Sequence, residues 1–180
     1  MPSFFRPPER TSAETPMNAS ERDPARRISV VLDNLRSAHN TGNIFRIAEA
    51  TGAAEVICCG YTPAPPHPKL EKTAMGTDRM VPCRTFRTAA EAVEALHSEG
   101  VKVIAVETVP EAADACTFDY PFPLALLFGN EALGISPDAL AAADGFVSLP
   151  MLGNKASINV GNCAAVVLYA VLRKIREVAP

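Results

Sequence analysis

Residues 149–168, LPMLGNKASINVGNCAAVVL, decide how this chain is read. An apolar strand end carrying Phe146, Val147 and Leu149 breaks at Pro150, and an apolar helix follows. Between them stand Gly153, Asn154, Lys155, Ser157 and Asn159. A helix start needs only one cap, so this run of small hydrogen-bonding residues calls for a ligand. In parallel α/β proteins ligands sit beyond the carboxyl ends of strands, where helix N-termini offer free N–H groups.

Working outward, short apolar strands alternate with helical patterns. ISVVLDNL (28–35), AEVICCG (54–60), VKVIAVET (101–108), LALLFGNE (124–131) and GFVSLP (145–150) read as five strands. TGNIFRIAEATG (41–52) places Ile44, Ile47, Ala48 and Thr51 at helical spacing and stops at Gly52. TAAEAVEALHSEG (88–100) is an amphipathic helix ended by Gly100. SPDALAAADG (136–145) opens with Ser136 as cap and Pro137 in the first turn, and residues 158–178 form a long closing helix. Residues 61–83 read as a long proline-rich connection. The pattern predicts α/β architecture: a mainly parallel sheet with helices on both faces.

At 180 residues and 48% apolar content, one domain with a sizeable core is expected. Residues 1–26 carry charges and prolines in place of an apolar signal core and read as a flexible leader, leaving 27–180 as the domain. No window reaches the roughly 20 apolar residues of a membrane span. The five cysteines are odd in number and lack C-x-x-C spacing, which predicts reduced thiols in the cytoplasm and no metal. Cys58, Cys59 and Cys163 lie in apolar segments and read as packing residues. The net charge of −3 means that any nucleic acid must be met by a local basic patch. Arg36, Lys69, Lys72, Arg79 and Lys155 are candidates for it, and His67 is evenly balanced between RNA contact and a structural role.

Several nucleotide signatures fail. No two of the ten glycines lie two apart, so the dinucleotide fingerprint G-x-G-x-x-G is missing. GNEALGIS (129–136) has the glycine spacing of a phosphate loop, but Ile135 stands where a phosphate-binding Lys is required. A G-x-S-x-G nucleophile elbow is absent, and the three histidines have no metal-ligand spacing. Three loops remain, each after a strand and each setting glycine or apolar backbone beside a polar side chain. That suits a ligand with an apolar purine, polar ribose edges and an amino-acid tail.

HNTGNIFRIAEATG (39–52), LLFGNEALGIS (126–136) and LPMLGNKASINVGNCAAVVLY (149–169) resemble, in this order, the three motifs of the SPOUT superfamily in its SpoU (TrmH-like) branch of RNA ribose 2′-O-methyltransferases. The resemblance spans about residues 28–175. It implies a SPOUT fold with a C-terminal trefoil knot, one of the rare exceptions to unthreaded topology. It also implies a homodimer, S-adenosylmethionine as methyl donor, and an RNA substrate, tRNA before rRNA. A catalytically inactive RNA-binding or assembly factor on the same fold is the alternative.

Carried over by motif, the catalytic set is Asn40, Arg46, Glu131, Ser157 and Asn159. The cofactor set is Val106, Glu107, Thr108, Gly129, Leu149, Met151 and Ser157, with Leu149 and Met151 around the adenine. Gly153 and Gly161 are expected where backbone passes close to backbone. Arginine stays protonated in proteins, so Arg46 is expected to grip an RNA phosphate and stabilise the developing alkoxide rather than take a proton. Glu131 is expected to hold a loop or Arg46 itself. Taken singly these residues have plainer readings: Arg46 paired with Glu49, Ser157 a helix cap, Asn40 a turn residue and Glu131 solvated. The ordered set outweighs them.

Overall fold

A computed structural model describes residues 27–155 and 157–178; the expected leader lies outside the described residues. Seven strands form one sheet in the order β3-β2-β1-β6-β4-β7-β5, with every pairing parallel. They are β1 Ile28–Asp33, β2 Glu55–Cys59, β3 Cys83–Phe86, β4 Lys102–Val106, β5 Ala113–Asp114, β6 Leu124–Phe128 and β7 Gly145–Ser148. The helices are α1 Ala38–Thr51, α2 Pro68–Ala74, α3 Ala89–Ser98, α4 Pro137–Ala142 and α5 Val160–Val178.

The near-continuous apolar strands exist because both faces are covered. Every residue of β1, β2 and β6 is buried. Val30, Leu32, Val56, Leu126 and Phe128 pack with Ile44 and Phe45 of α1 and Val167 and Leu168 of α5. The alternate residues Val31, Ile57, Ala125 and Leu127 pack with Val93 and Leu96 of α3 and Ala139 of α4. This is the period of two expected of a strand between two helical layers.

The proline-rich connection holds more structure than its sequence suggested. Pro68 sits in the first turn of α2, where its fixed φ and missing N–H suit a helix. The His67 ring caps that helix, with Nδ1 accepting from the Leu70 N–H at 3.3 Å. A 3-10 turn at Thr77–Arg79 and strand β3 follow. The helix α1 starts at Ala38 rather than residue 41, because Ser37 Oγ accepts from the Asn40 N–H at 3.2 Å. It ends at Gly52 as expected, with φ 74°. Ser136 does stand at the N-cap of α4, but its side chain makes no capping bond. Its N–H instead donates to the buried Asp33 carboxylate at 2.7 Å.

Candidate active site

A cavity of about 520 Å³ opens beyond the carboxyl ends of three adjacent strands, β6, β4 and β7. Val106, Glu107 and Thr108 line it from the end of β4, Gly129 and Glu131 from the end of β6, and Leu149 and Met151 from the end of β7. Ser157 and Asn159, ahead of α5, complete the wall. Every residue of the expected cofactor set therefore lies on one cavity. Asn40 and Arg46 are outside its lining.

One hydrogen-bond chain ties the three sequence motifs together. Asn159 Nδ2 donates to Asn40 Oδ1 at 3.0 Å, and Asn40 Nδ2 donates to Glu131 Oε1 at 2.9 Å. Glu131 also accepts from the N–H groups of Arg36 at 3.0 Å and Ser37 at 3.2 Å. Burial pushes the Glu131 carboxyl up, but those N–H donors and the Asn40 amide outweigh it and hold it below its ordinary value. The carboxylate thus pins the β1–α1 loop and makes no hydrogen bond or ion pair with Arg46. Asn159, not Ser157, caps α5: its Oδ1 accepts from the N–H groups of Gly161 at 2.9 Å and Asn162 at 3.3 Å.

Two glycines let the second wall fold back on itself. A Cβ on Gly129 would lie 2.3 Å from both Gly134 C and Ile135 N. Gly134, at φ 72°, turns the chain so that Asn130 and Gly134 exchange backbone hydrogen bonds at 2.9 Å. The Glu107 carboxylate then accepts from the Ile135 N–H at 3.1 Å and the Thr108 N–H at 3.0 Å. Gly153 does not play the expected role: a Cβ there meets nothing within 4 Å. At Gly161 the close neighbour is a side chain, with Asn43 Nδ2 2.7 Å from the hypothetical Cβ.

Arg46 is exposed on α1, and among the described residues its guanidinium has no ion pair or hydrogen bond. The pairing with Glu49 does not form. Ser157 is likewise exposed. Sequence reasoning missed Asn130, which is buried in the cavity wall; its Oδ1 accepts from the N–H groups of Ala132 at 2.8 Å and Leu133 at 3.0 Å. Asn after a strand end signals only a turn, so its tertiary bonds left no trace in the sequence. Cys163 also lines the cavity, where burial and then the Glu107 charge push its thiol up to about 11 and keep it neutral.

The electrostatics of the cavity are selective. Two carboxylates, Glu107 and Glu131, line it, while among the described residues no Lys, Arg or His does. Such a wall repels the phosphates of a nucleotide and favours a ligand carrying positive charge. Its apolar side, formed by Val106, Phe128, Leu149 and Met151, suits a flat purine.

Comparison with known proteins is consistent with these features. The profile of the SpoU rRNA methylase family matches residues 27–169. The tRNA (guanosine(18)-2′-O)-methyltransferase of Thermus thermophilus is 35% identical over 147 residues, covering 82% of this chain and 75% of that protein. The 23S rRNA (uridine(2479)-2′-O)-methyltransferase of Streptomyces viridochromogenes is 33% identical over 176 residues, covering 93% of this chain but 61% of that protein. The crystal structure of the SpoU methyltransferase AviRb from Streptomyces viridochromogenes, in complex with the cofactor AdoMet, superposes with a TM-score of 0.77 at 28% identity, covering 96% of this chain and 64% of that one. The chain thus spans less than two thirds of the Streptomyces proteins.

Proposed function

The chain belongs to the SpoU rRNA methylase family, and we propose that it is an S-adenosylmethionine-dependent RNA ribose 2′-O-methyltransferase of the cytoplasm, acting on tRNA in preference to rRNA. The observation that carries this reading is the cavity with two carboxylates and, among the described residues, no cation. It fits a sulfonium cofactor with a purine and an amino group, and it argues against a nucleotide hydrolase. Bound there, S-adenosylmethionine supplies an electrophilic methyl group.

The chain's own residues do the rest. Leu149 and Met151 hold the purine, and the backbone of Val106 to Thr108 with Gly129 forms the close wall. Asn159, Asn40 and Glu131 fix the α1 and α5 N-termini relative to the cavity, so that the incoming ribose meets a preset geometry. Arg46, unpaired among the described residues, is free to grip an RNA phosphate and stabilise charge developing on the ribose 2′ oxygen. Ser157, also unpartnered there, orients the ribose. The reading includes the C-terminal trefoil knot that the family fold implies.

We assign the enzyme as a homodimer that covers the outer face of α5, where Val166 and Tyr169 are 45% and 52% exposed. Those two residues are one helical turn apart and form an apolar stripe that a second copy would bury.

Calorimetric titration with S-adenosylmethionine, paired with methylation of unmodified tRNA transcripts and protein-free 23S rRNA, tests the reading. Micromolar binding at about one site per subunit, with RNA methylation that Arg46→Ala abolishes while cofactor affinity persists, is the expected result. Cofactor binding without methylation of either RNA would favour the inactive assembly factor. Normal turnover in Arg46→Ala would overturn the role given to Arg46.

A further inference from the structure

Tyr61 follows β2 at the carboxyl edge of the sheet and is 58% exposed as a residue. Exposed aromatic rings are usually mobile, but this one is fixed at both ends. Its hydroxyl accepts from Asn130 Nδ2 at 2.8 Å, and Asn130 lines the cavity. Its N–H donates to Asn34 Oδ1 at 3.3 Å. On either side the turn is locked. Asn34 adopts φ 54°, and Gly60 adopts φ 62° with Asn34 Oδ1 only 2.0 Å from where a Cβ would lie. The buried Thr62 donates from Oγ1 to the Leu32 carbonyl at 3.1 Å and accepts from the Leu35 N–H at 2.9 Å.

The same locking anchors a cationic residue to the same wall. Asn34 and Leu35 are bonded to Tyr61 and Thr62, and the next residue is Arg36. The Arg36 N–H is held by Glu131, while its exposed side chain has no partner among the described residues. Tyr61 and Arg36 are therefore anchored to consecutive residues of the cavity wall, Asn130 and Glu131. A tethered, exposed aromatic ring and an unpaired arginine held to adjacent residues of one wall match an unstacked nucleotide, whose base stacks on the ring while its phosphate meets the cation. The pinned geometry also lowers the entropy lost on binding.

We propose that Tyr61 and Arg36 form a nucleotide-gripping platform at the rim of the cofactor cavity, stacking a splayed base of the RNA next to the methylated ribose. Tyr61 is thus a positioning residue. The assignment rests on the RNA methyltransferase reading above, and the test separates the two.

The chain contains no tryptophan, so Tyr61→Trp introduces a single tryptophan at the platform, excited at longer wavelength than the remaining tyrosines. Its emission is expected to be quenched saturably by tRNA transcript or 23S rRNA, whichever the wild-type enzyme methylates. Tyr61→Ala should weaken affinity for that RNA about 5- to 150-fold, as loss of one base stack does, and raise KM more than it lowers kcat. Affinity for S-adenosylmethionine should stay unchanged, and Tyr61→Phe, which keeps the ring but loses the tether to Asn130, should lose less RNA affinity than Tyr61→Ala. Arg36→Gln should reduce the salt dependence of RNA binding by about one unit of slope. Wild-type RNA affinity in Tyr61→Ala, or a Tyr61→Trp emission indifferent to an RNA that the enzyme methylates, would overturn the platform and leave the methyltransferase reading standing. A wild-type protein that neither binds nor methylates either RNA would overturn both.

Discussion

Replacing Glu131 by Gln tests the hub of the site with almost no change in shape. The carboxylate takes three bonds: the Arg36 N–H on Oε2, and the Ser37 N–H and Asn40 amide on Oε1. A Gln carbonyl can keep the two donors on one side, but its NH₂ then faces the remaining N–H. One charge-assisted bond is lost, worth about 1.5–3 kcal/mol when shielded, and discounted to about 1–2 kcal/mol because Glu131 is exposed to solvent. For a chain of this length that lowers Tm by about 2–8 °C.

The pH dependence makes the test sharper. The Glu131 carboxyl is held below its ordinary value, so its stabilisation is complete above the unfolded value of about 4.3 and is lost as pH falls through the lower native value. Urea unfolding of wild type and Glu131→Gln across this acid range should show a deficit at neutral pH that shrinks once pH drops below about 4.3. Methylation at neutral pH should fall in parallel, because the β1–α1 loop and Asn40 lose their shared anchor. Equal stability at neutral pH, or a deficit that stays constant into acid, would refute the argument that charge on Glu131 holds the loop.

Gly129→Ala should weaken S-adenosylmethionine binding at least tenfold by calorimetry, since a Cβ 2.3 Å from two backbone atoms must displace the 130–134 turn that walls the cavity. At the opposite edge of the sheet, Glu55 is buried between Arg27 and Arg84 and accepts from Ser29 Oγ at 2.8 Å. Glu55→Ala should cost about 3 kcal/mol in urea unfolding while leaving cofactor affinity as in wild type. Tyr169→Glu should convert the proposed dimer to monomers in sedimentation analysis by placing charge on the exposed apolar stripe of α5.

The layers and the cavity were legible because both leave periodic or positional marks. Strands buried on two faces, such as Leu124–Phe128, read as unbroken apolar runs; the first two motifs follow such strands, and the third follows the short, half-buried β7. Short elements left no such mark. Strand β3 is only half-buried and β5 has two residues, so neither carries a decisive pattern. The helix α2 is one proline-led segment whose cap is His67, a residue that rarely announces a cap. The hub was half visible. Asn40, Glu131 and Asn159 stand out by motif, but the order of their bonds depends on loops that meet only in three dimensions. Gly129 was marked as a contact residue, yet its necessity comes from Gly134 crossing beneath it.

Net charge was the feature most at odds with an RNA substrate, and the distribution of ion pairs resolves it. Arg27 and Arg84 are neutralised by Glu55 and Glu99, Arg87 by Glu91, Lys102 by Asp144, and Arg173 by Glu177. By contrast Arg36, Arg46, Lys69, Lys72 and Lys155 form no ion pair among the described residues, and Arg79 only a long one of 3.8 Å with Glu71. These residues lie on the β1–α1 loop, on α1 and α2, on the turn after α2, and on the passage into α5. Helices α1 and α2 are neighbours: Gly42 leaves room for Thr73 and Ala74 so closely that a Cβ would sit 2.7 Å from Thr73 Cβ. Lys174 and Arg176, near the far end of α5, are also without an ion pair among the described residues, but Arg36 and Lys155 flank residues of the acidic cavity, Arg36 through its N–H on Glu131 and Lys155 two residues before Ser157. A phosphate backbone is attracted to the rim and repelled from the interior, which leaves the interior to a cationic cofactor. A protein of net charge −3 can in this way hold a polyanion and a sulfonium side by side without either occupying the other's place.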